Sequence, residues 1–211
     1  MTVHVRRAGD RALLLDTGDP LTTVAIAQVL REARLPEAED LVPAAATVLV
    51  RVTRGTDLTD FGRRLLDLAA GAEAGAGAAG PHDELVVPVV YDGPDLADVA
   101  AATGLTTAEV IAAHTGTPWR AAFVGFAPGF AYLVGGDPRL QVPRRRQSRT
   151  SVPAGSVALA GEYSAVYPRE SPGGWQLIGA TEVTLWDENA QPAAAIRPGH
   201  WVRFESVAGP S

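Results

Sequence analysis

Ala165-Val-Tyr-Pro-Arg-Glu-Ser-Pro-Gly-Gly-Trp-Gln-Leu-Ile178 sets two short apolar runs on either side of a Pro/Gly turn. Proline fixes φ and glycine frees it, so this spacing reads as strand, turn, strand. The same texture runs outward in both directions, from about residue 119 to residue 204. Ala122-Phe-Val124, Ser156-Val-Ala-Leu-Ala160, Val183-Thr-Leu-Trp186 and Trp201-Val-Arg-Phe204 are short, apolar and bounded by turn signals. Many short strands at this spacing argue for a barrel or a sandwich.

Upstream of this β-rich stretch the period changes. Leu96, Val99 and Ala100 share one helical face, Gly104 interrupts it, and Thr106-Thr-Ala-Glu109 is a capping box that opens a second short helix through Ala113. Two helices around a glycine resemble a DNA-binding helix-turn-helix only superficially. Asp95, Asp98 and Glu109 are acidic, and the second helix has no arginine to meet a phosphate.

The N-terminal part alternates. Arg11–Asp16, Asp40–Val42, Thr47–Val52 and Glu84–Tyr91 read as strands. Residues 21–33 read as a helix with Thr22 available as its cap, and Leu58–Leu68 as a second helix with Asp57 at its start. That order is β-α-β-β-α-β, the split ferredoxin-like plan. The fold class is therefore α+β, with a ferredoxin-like α/β sandwich over residues 1–91 and a β-barrel over 92–211 that begins with the helical pair. On this reading the Gly/Ala stretch 71–80 is a long surface loop before the last strand of the first sheet.

Composition narrows the chemistry. Of 211 residues, 46% are hydrophobic and 20% charged, an ordinary globular balance. The net charge of −6 argues against nucleic-acid binding. Cysteine is absent, which excludes thiolate nucleophiles and thiolate metal sites from this chain. Every basic residue other than histidine is arginine, so no lysine can form a Schiff base, serve a P-loop or carry biotin. No His pair has metal-ligand spacing, and no metal is expected. No apolar run approaches a membrane span, and residues 1–7 lack the apolar core of a signal peptide. A cytoplasmic location is expected.

Four segments exceed ordinary turn chemistry: Phe123–Leu133, Pro143–Val157, Val166–Gly179 and Pro198–Phe204. Together they resemble the family of 5-oxoprolinase B subunits, also called the allophanate hydrolase subunit 1 or kinase-A-inhibitor-like family. The resemblance is strong over about residues 85–204, and the N-terminal half agrees in element order. It departs at Glu162-Tyr-Ser-Ala-Val-Tyr-Pro168, where the family commonly reads Asn-Gln-Thr-Gly-Ile-Tyr-Pro. It departs again at Gly179-Ala-Thr181, which replaces Gly-Arg-Thr, and at Ser148, which replaces a proline.

The resemblance implies that the barrel is cyclophilin-like. It also implies that the chain pairs with a homologous-fold partner, of the type of the 5-oxoprolinase C subunit or allophanate hydrolase subunit 2. A third subunit then completes an ATP-dependent 5-oxoprolinase. That complex opens 5-oxo-L-proline to L-glutamate. ATP is used by the complex and not expected on this chain alone. Two alternatives accompany this reading: half of a urea- or allophanate-type biotin-dependent carboxyltransferase, and a regulatory protein that inhibits a sensor histidine kinase.

Opening a lactam requires a held anion and a stabilised oxyanion. The family's pattern makes His114 and Arg149 the catalytic candidates. His114 closes the second short helix, where a capping cation is the competing role. The substrate-binding candidates are Arg144 as a carboxylate fork, Gly129, Gly173 and Gly174 as sources of accessible backbone N–H, and Ser156 as a donor. Phe126, Tyr132, Tyr167 and Trp175 are the candidate pocket walls. Arg145 and Arg146 are expected to be solvated.

Overall fold

The computed structural model describes residues 3–72 and 84–209, which divide into two units at residue 82. In the first unit, β1 (His4–Arg7) and β2 (Ala12–Asp16) form a hairpin, followed by α1 (Pro20–Glu32), β3 (Ala38–Pro43), β4 (Thr47–Val52) and α2 (Leu58–Ala70). The strands make an antiparallel sheet in the order β1-β2-β4-β3. Alternating residues explain its core: Leu13, Leu15, Val48 and Val50 point inward against Ile26, Leu30, Phe61 and Leu65 of the helices.

The caps follow from local chemistry. Asp19, rather than Thr22, caps α1 and accepts the Thr22 backbone N–H at 2.9 Å. Asp57 caps α2 through the Thr59 and Asp60 N–H groups.

The expected β-α-β-β-α-β path is not followed. The edge beside β2 is filled by β1, a charged strand with no apolar alternation to announce it. The strand assigned to close this sheet, β5 (Glu84–Val89), instead belongs to the second unit, where it pairs in parallel with the last strand. Val87 and Val89 are fully buried in that unit's core, which moves the boundary from residue 91 to residue 82. Apart from Gly71 and Ala72, the Gly/Ala stretch lies outside the described residues.

After β5 come α3 (Leu96–Thr103) and α4 (Thr107–Gly116). Gly104 takes a left-handed φ of 72° at the end of α3, and the Thr106–Glu109 capping box opens α4. The strands that follow are β6 (Trp119–Val124), β7 (Ala131–Val134), β8 (Arg149–Val152), β9 (Ser156–Ala160), β10 (Tyr163–Val166), β11 (Ser171–Gly173), β12 (Gln176–Ala180) and β13 (Trp201–Ser206). Residues 183–186 form no strand; Trp186 makes only an isolated bridge to Ala194.

Among the described residues, seven strands share one sheet in the order β12-β9-β10-β7-β6-β13-β5. Its ends meet where Val90 and Ala180 exchange two backbone hydrogen bonds of 2.9 Å, so the sheet is a nearly closed barrel. The second unit is thus mixed α+β around a barrel. No single helix among the described residues is long and apolar enough to cross a membrane.

The sheet has two apolar faces, and this places the site. Val157, Leu159 and Val166 point into the barrel with Trp119, Leu133 and Phe204. Their neighbours Ala158, Ala160, Ala165 and Tyr167 point outward, to a smaller cluster with Phe130, Val152 and Trp175. A second layer, the β8–β11 pair, accompanies that outer cluster through Val152.

Candidate functional site

A cleft of about 500 Å³ opens over this outer cluster. The loop between β6 and β7 supplies Phe126 and Phe130, and β7 supplies Tyr132. The turn from β9 into β10 supplies Gly161 and Tyr163, and Tyr167 follows β10. Pro172 and Gly173 of β11, Trp175, and the Pro143–Arg144 loop complete the walls. Phe130 is the hub. It meets Phe126, Tyr132, Tyr167 and Trp175 edge-on, with ring centroids 5.1–5.6 Å apart. Edge-to-face contacts of this kind lock rings into one arrangement.

Two backbone details shape the cleft. Phe126 has φ 66°, a left-handed conformation that disfavours a side chain with a Cβ, yet its ring is 59% exposed at the rim. Gly173 is required on contact grounds, because a Cβ there would lie 2.3 Å from the Tyr167 hydroxyl. Burial raises the Tyr167 phenol above its ordinary pKa, against the opposing pull of the Trp175 backbone amide and the charges of Arg144 and Arg149. The phenol stays protonated and can donate a hydrogen bond.

Arg144 is the cation of the cleft wall. Among the described residues it has no hydrogen bond or ion pair, whereas Arg145 and Arg149 both bind the carboxylate of Asp95. Asp95 is 1% exposed, and its other oxygen accepts the Leu177 backbone N–H at 2.7 Å. Burial pushes this carboxyl up, but the Arg149 hydrogen bond, the Leu177 amide and both guanidinium charges outweigh it and hold it below the ordinary range. Arg145, expected in solvent, is therefore a half-buried member of an ion-paired group.

Of the residues singled out in the sequence, the fold brings Phe126, Tyr132, Arg144, Tyr167, Gly173 and Trp175 together in this cleft. Arg149 lies behind the wall, on Asp95. Gly174 is buried, and a Cβ there would crowd Ser148. Ser156 is buried at the start of β9 and does not line the cleft. Gly129 is a turn residue with φ 80°, closed off by Trp186 and Pro168.

His114 is not an acid/base residue of this cleft, nor a capping cation. It is fully buried among inward-facing side chains, with its ring 4.3 Å from that of Phe204. Burial drives its pKa down to about 3, so it is neutral. Ser164, one of its partners, alternates with the cleft-facing Tyr163 on β10, so the sheet itself stands between His114 and the cleft.

Asp95 was not singled out as a site residue. Its partners lie 50, 54 and 82 residues away, beyond the reach of any local pattern. Among the described residues, no group of three or more His, Asp or Glu side chains is placed to hold a metal.

The model of the carboxyltransferase domain, subdomain C and D, matches residues 3–196. The chain belongs to this family. Its relatives include the 5-oxoprolinase B subunit of Escherichia coli O157:H7, 36% identical over 93% of this chain and 92% of that protein. The 5-oxoprolinase B subunit of Bacillus subtilis is 43% identical over 57% of this chain and 52% of its own length, about half of that relative. A solved member of the same fold, TTHA0988, superposes with a TM-score of 0.75 at 34% identity; the match covers 95% of this chain and 40% of that one. Within this carboxyltransferase-type fold, the aromatic cleft and its lone arginine are the features best placed to bind a small anion.

Proposed function

We propose that this chain is one subunit of an ATP-dependent 5-oxoprolinase that converts 5-oxo-L-proline to L-glutamate, and that it is inactive alone. The observation that carries this is the 36% identity to a 5-oxoprolinase B subunit over 93% of this chain and 92% of that protein. We read the second unit as the cyclophilin-like barrel of that family and place the complex in the cytoplasm.

The cleft suits the substrate. 5-Oxoproline is a small, flat ring bearing one carboxylate. The Phe130, Tyr132 and Trp175 rings give it apolar walls, and Arg144 offers a planar fork to the carboxylate. Tyr167 offers a protonated hydroxyl to the lactam carbonyl oxygen or to the departing nitrogen. Hydrolysis breaks the lactam C–N bond, adds the oxygen of water to the carbonyl carbon and leaves the nitrogen as the amine of glutamate. ATP supplies the driving force for that step. With neither a P-loop motif nor a lysine, this chain gives ATP no such cradle, and we assign the nucleotide elsewhere in the complex. The remaining groups for catalysis would come from the homologous-fold partner, which makes this cleft half of a shared site.

The decisive experiment is reconstitution with the other two subunits of the complex. Glutamate should form from 5-oxoproline only with all three proteins and ATP. A folded, assembled complex that yields no glutamate overturns the reading, as does turnover by this chain alone. A second reading, half of a biotin-dependent carboxyltransferase, is favoured by the description of the family itself. It requires a separate biotin carrier, because no lysine here can hold biotin. Carboxyl transfer from a carboxybiotin carrier, with no glutamate formed, would select it.

A further inference from the structure

We propose that Asp95 is the positioning residue of the cleft: it ties Arg145 and Arg149 down behind the wall and offsets part of their charge, so that Arg144 is the single guanidinium presented to an anionic ligand. The proposal rests on the reading of the cleft as a ligand site, and it adds a residue outside the cleft wall on which that site depends.

Asp95 stands at the N-cap of α3, where an aspartate ordinarily bonds the first free N–H groups of its own helix. Here the side chain makes no capping bond. It turns instead toward the 143–149 loop and accepts from Arg145 Nη1 and Arg149 Nη2, while its second oxygen is held by Leu177 N–H at 2.7 Å. A carboxylate that is 1% exposed stays ionised only where partners offset the loss of its hydration. Its side chain forgoes the local cap bond for partners 50 or more residues away.

Those partners flank Arg144 on one short loop. The loop is braced on both sides of it: Gln176 Nε2 donates to Pro143 O at 3.1 Å, and Arg145 N donates to Gly174 O at 2.8 Å. Within residues 144–149 there are four arginines, and Arg144 is the one that reaches the cleft. Without the Asp95 carboxylate, two half-buried cations would lie unpaired behind the cleft wall. They would repel Arg144 and compete with it for any anion, and the loop would lose its fixed end.

The test is a double-mutant cycle read by ligand binding. The full chain is titrated with benzoate, a flat ring bearing a carboxylate, and with 5-oxo-L-proline, by calorimetry. Arg144→Gln should weaken binding ~10–100-fold and Asp95→Asn ~10-fold, the loss of a charge-assisted bond or of its alignment. In the Arg144→Gln background, Asp95→Asn should change affinity less than about twofold, because its effect passes through Arg144. Asp95→Asn combined with Arg145→Gln and Arg149→Gln removes both freed cations and should return affinity to within about threefold of the wild type. Should Asp95→Asn alone not fold, that triple variant decides the question on the same threefold limit.

Unchanged or tighter binding in Asp95→Asn overturns the proposal, as do losses that multiply in the cycle. Absence of any Arg144-dependent binding to the wild type overturns it too. Binding of benzoate without 5-oxoproline sinks the substrate named above and leaves the Asp95 assignment standing. Multiplying losses with 5-oxoproline do the reverse.

Discussion

The Tyr91 hydroxyl lies 2.7 Å from His114 Nδ1, and Ser164 Oγ lies 2.8 Å from Nε2 on the other side of the ring. Both nitrogens of a neutral imidazole are thereby served, one as donor and one as acceptor. A second proton would have to enter a fully buried site. With a folded pKa near 3 against an ordinary value of 6.5, the native state refuses a proton that the unfolded chain accepts. Stability from this residue is therefore complete above about pH 6.5 and is lost as pH falls, by about 2 kcal/mol at pH 5. Urea unfolding at pH 7.5 and pH 5 should show this slope, and His114→Gln should flatten it. An unchanged slope in the variant would assign the pH dependence elsewhere.

Arg144→Gln in the assembled complex should raise KM for 5-oxoproline ~10–100-fold with a smaller change in kcat, the pattern of lost ground-state binding. Arg144→Lys should recover only part of the loss, since an ammonium cannot form the planar fork. Steady-state kinetics of the three proteins checks both statements. Equal KM values would remove Arg144 from the site.

Phe126 gives a test in which the usual ranking of residues reverses. Its φ of 66° suits glycine. Phe126→Gly should therefore be more stable than Phe126→Ala by about 1 kcal/mol, although alanine is ordinarily the safer replacement. Both variants should bind ligand more weakly, because both lose the ring at the rim. Thermal melts and titrations separate the two effects.

Gly179 lies beside the bridge that closes the barrel. A Cβ there would sit 2.5 Å from Val90 O and 2.8 Å from a Val89 methyl. Gly179→Ala should cost about 3 kcal/mol or more, since backbone must move to admit the methyl. The expected result is a sharply lower urea midpoint, and an unaltered midpoint would show that this closure has slack.

Local physics made a good part of this architecture legible. The Thr106–Glu109 capping box, Asp57 at the start of α2 and the turn-punctuated strands after residue 119 all depend on residues within a few positions of one another. Strand pairing does not. The Glu84–Val89 run is equally apolar whether it closes the first sheet or joins β13, and only the pairing distinguishes them. His-Val-Arg-Arg at residues 4–7 is a strand because an edge was free, and its charged pattern carried no sign of that. In the cleft, six residues came from motifs in the sequence, but Asp95 was hidden by the distance to its partners. His114 misled because a histidine at a helix end looks the same whether its ring faces water or the inside of a barrel.

The parallel pairing of β5 with β13 joins residues 84–89 to residues 201–206. A chain growing on the ribosome therefore makes one edge of this sheet long before the strand that covers it. Until residues 201–206 clear the exit tunnel, Val87 and Val89 lie on an open edge of the kind that recruits other chains. Premature termination before residue 206, which removes part or all of the covering strand, would then be expected to yield aggregate rather than a shortened but folded protein.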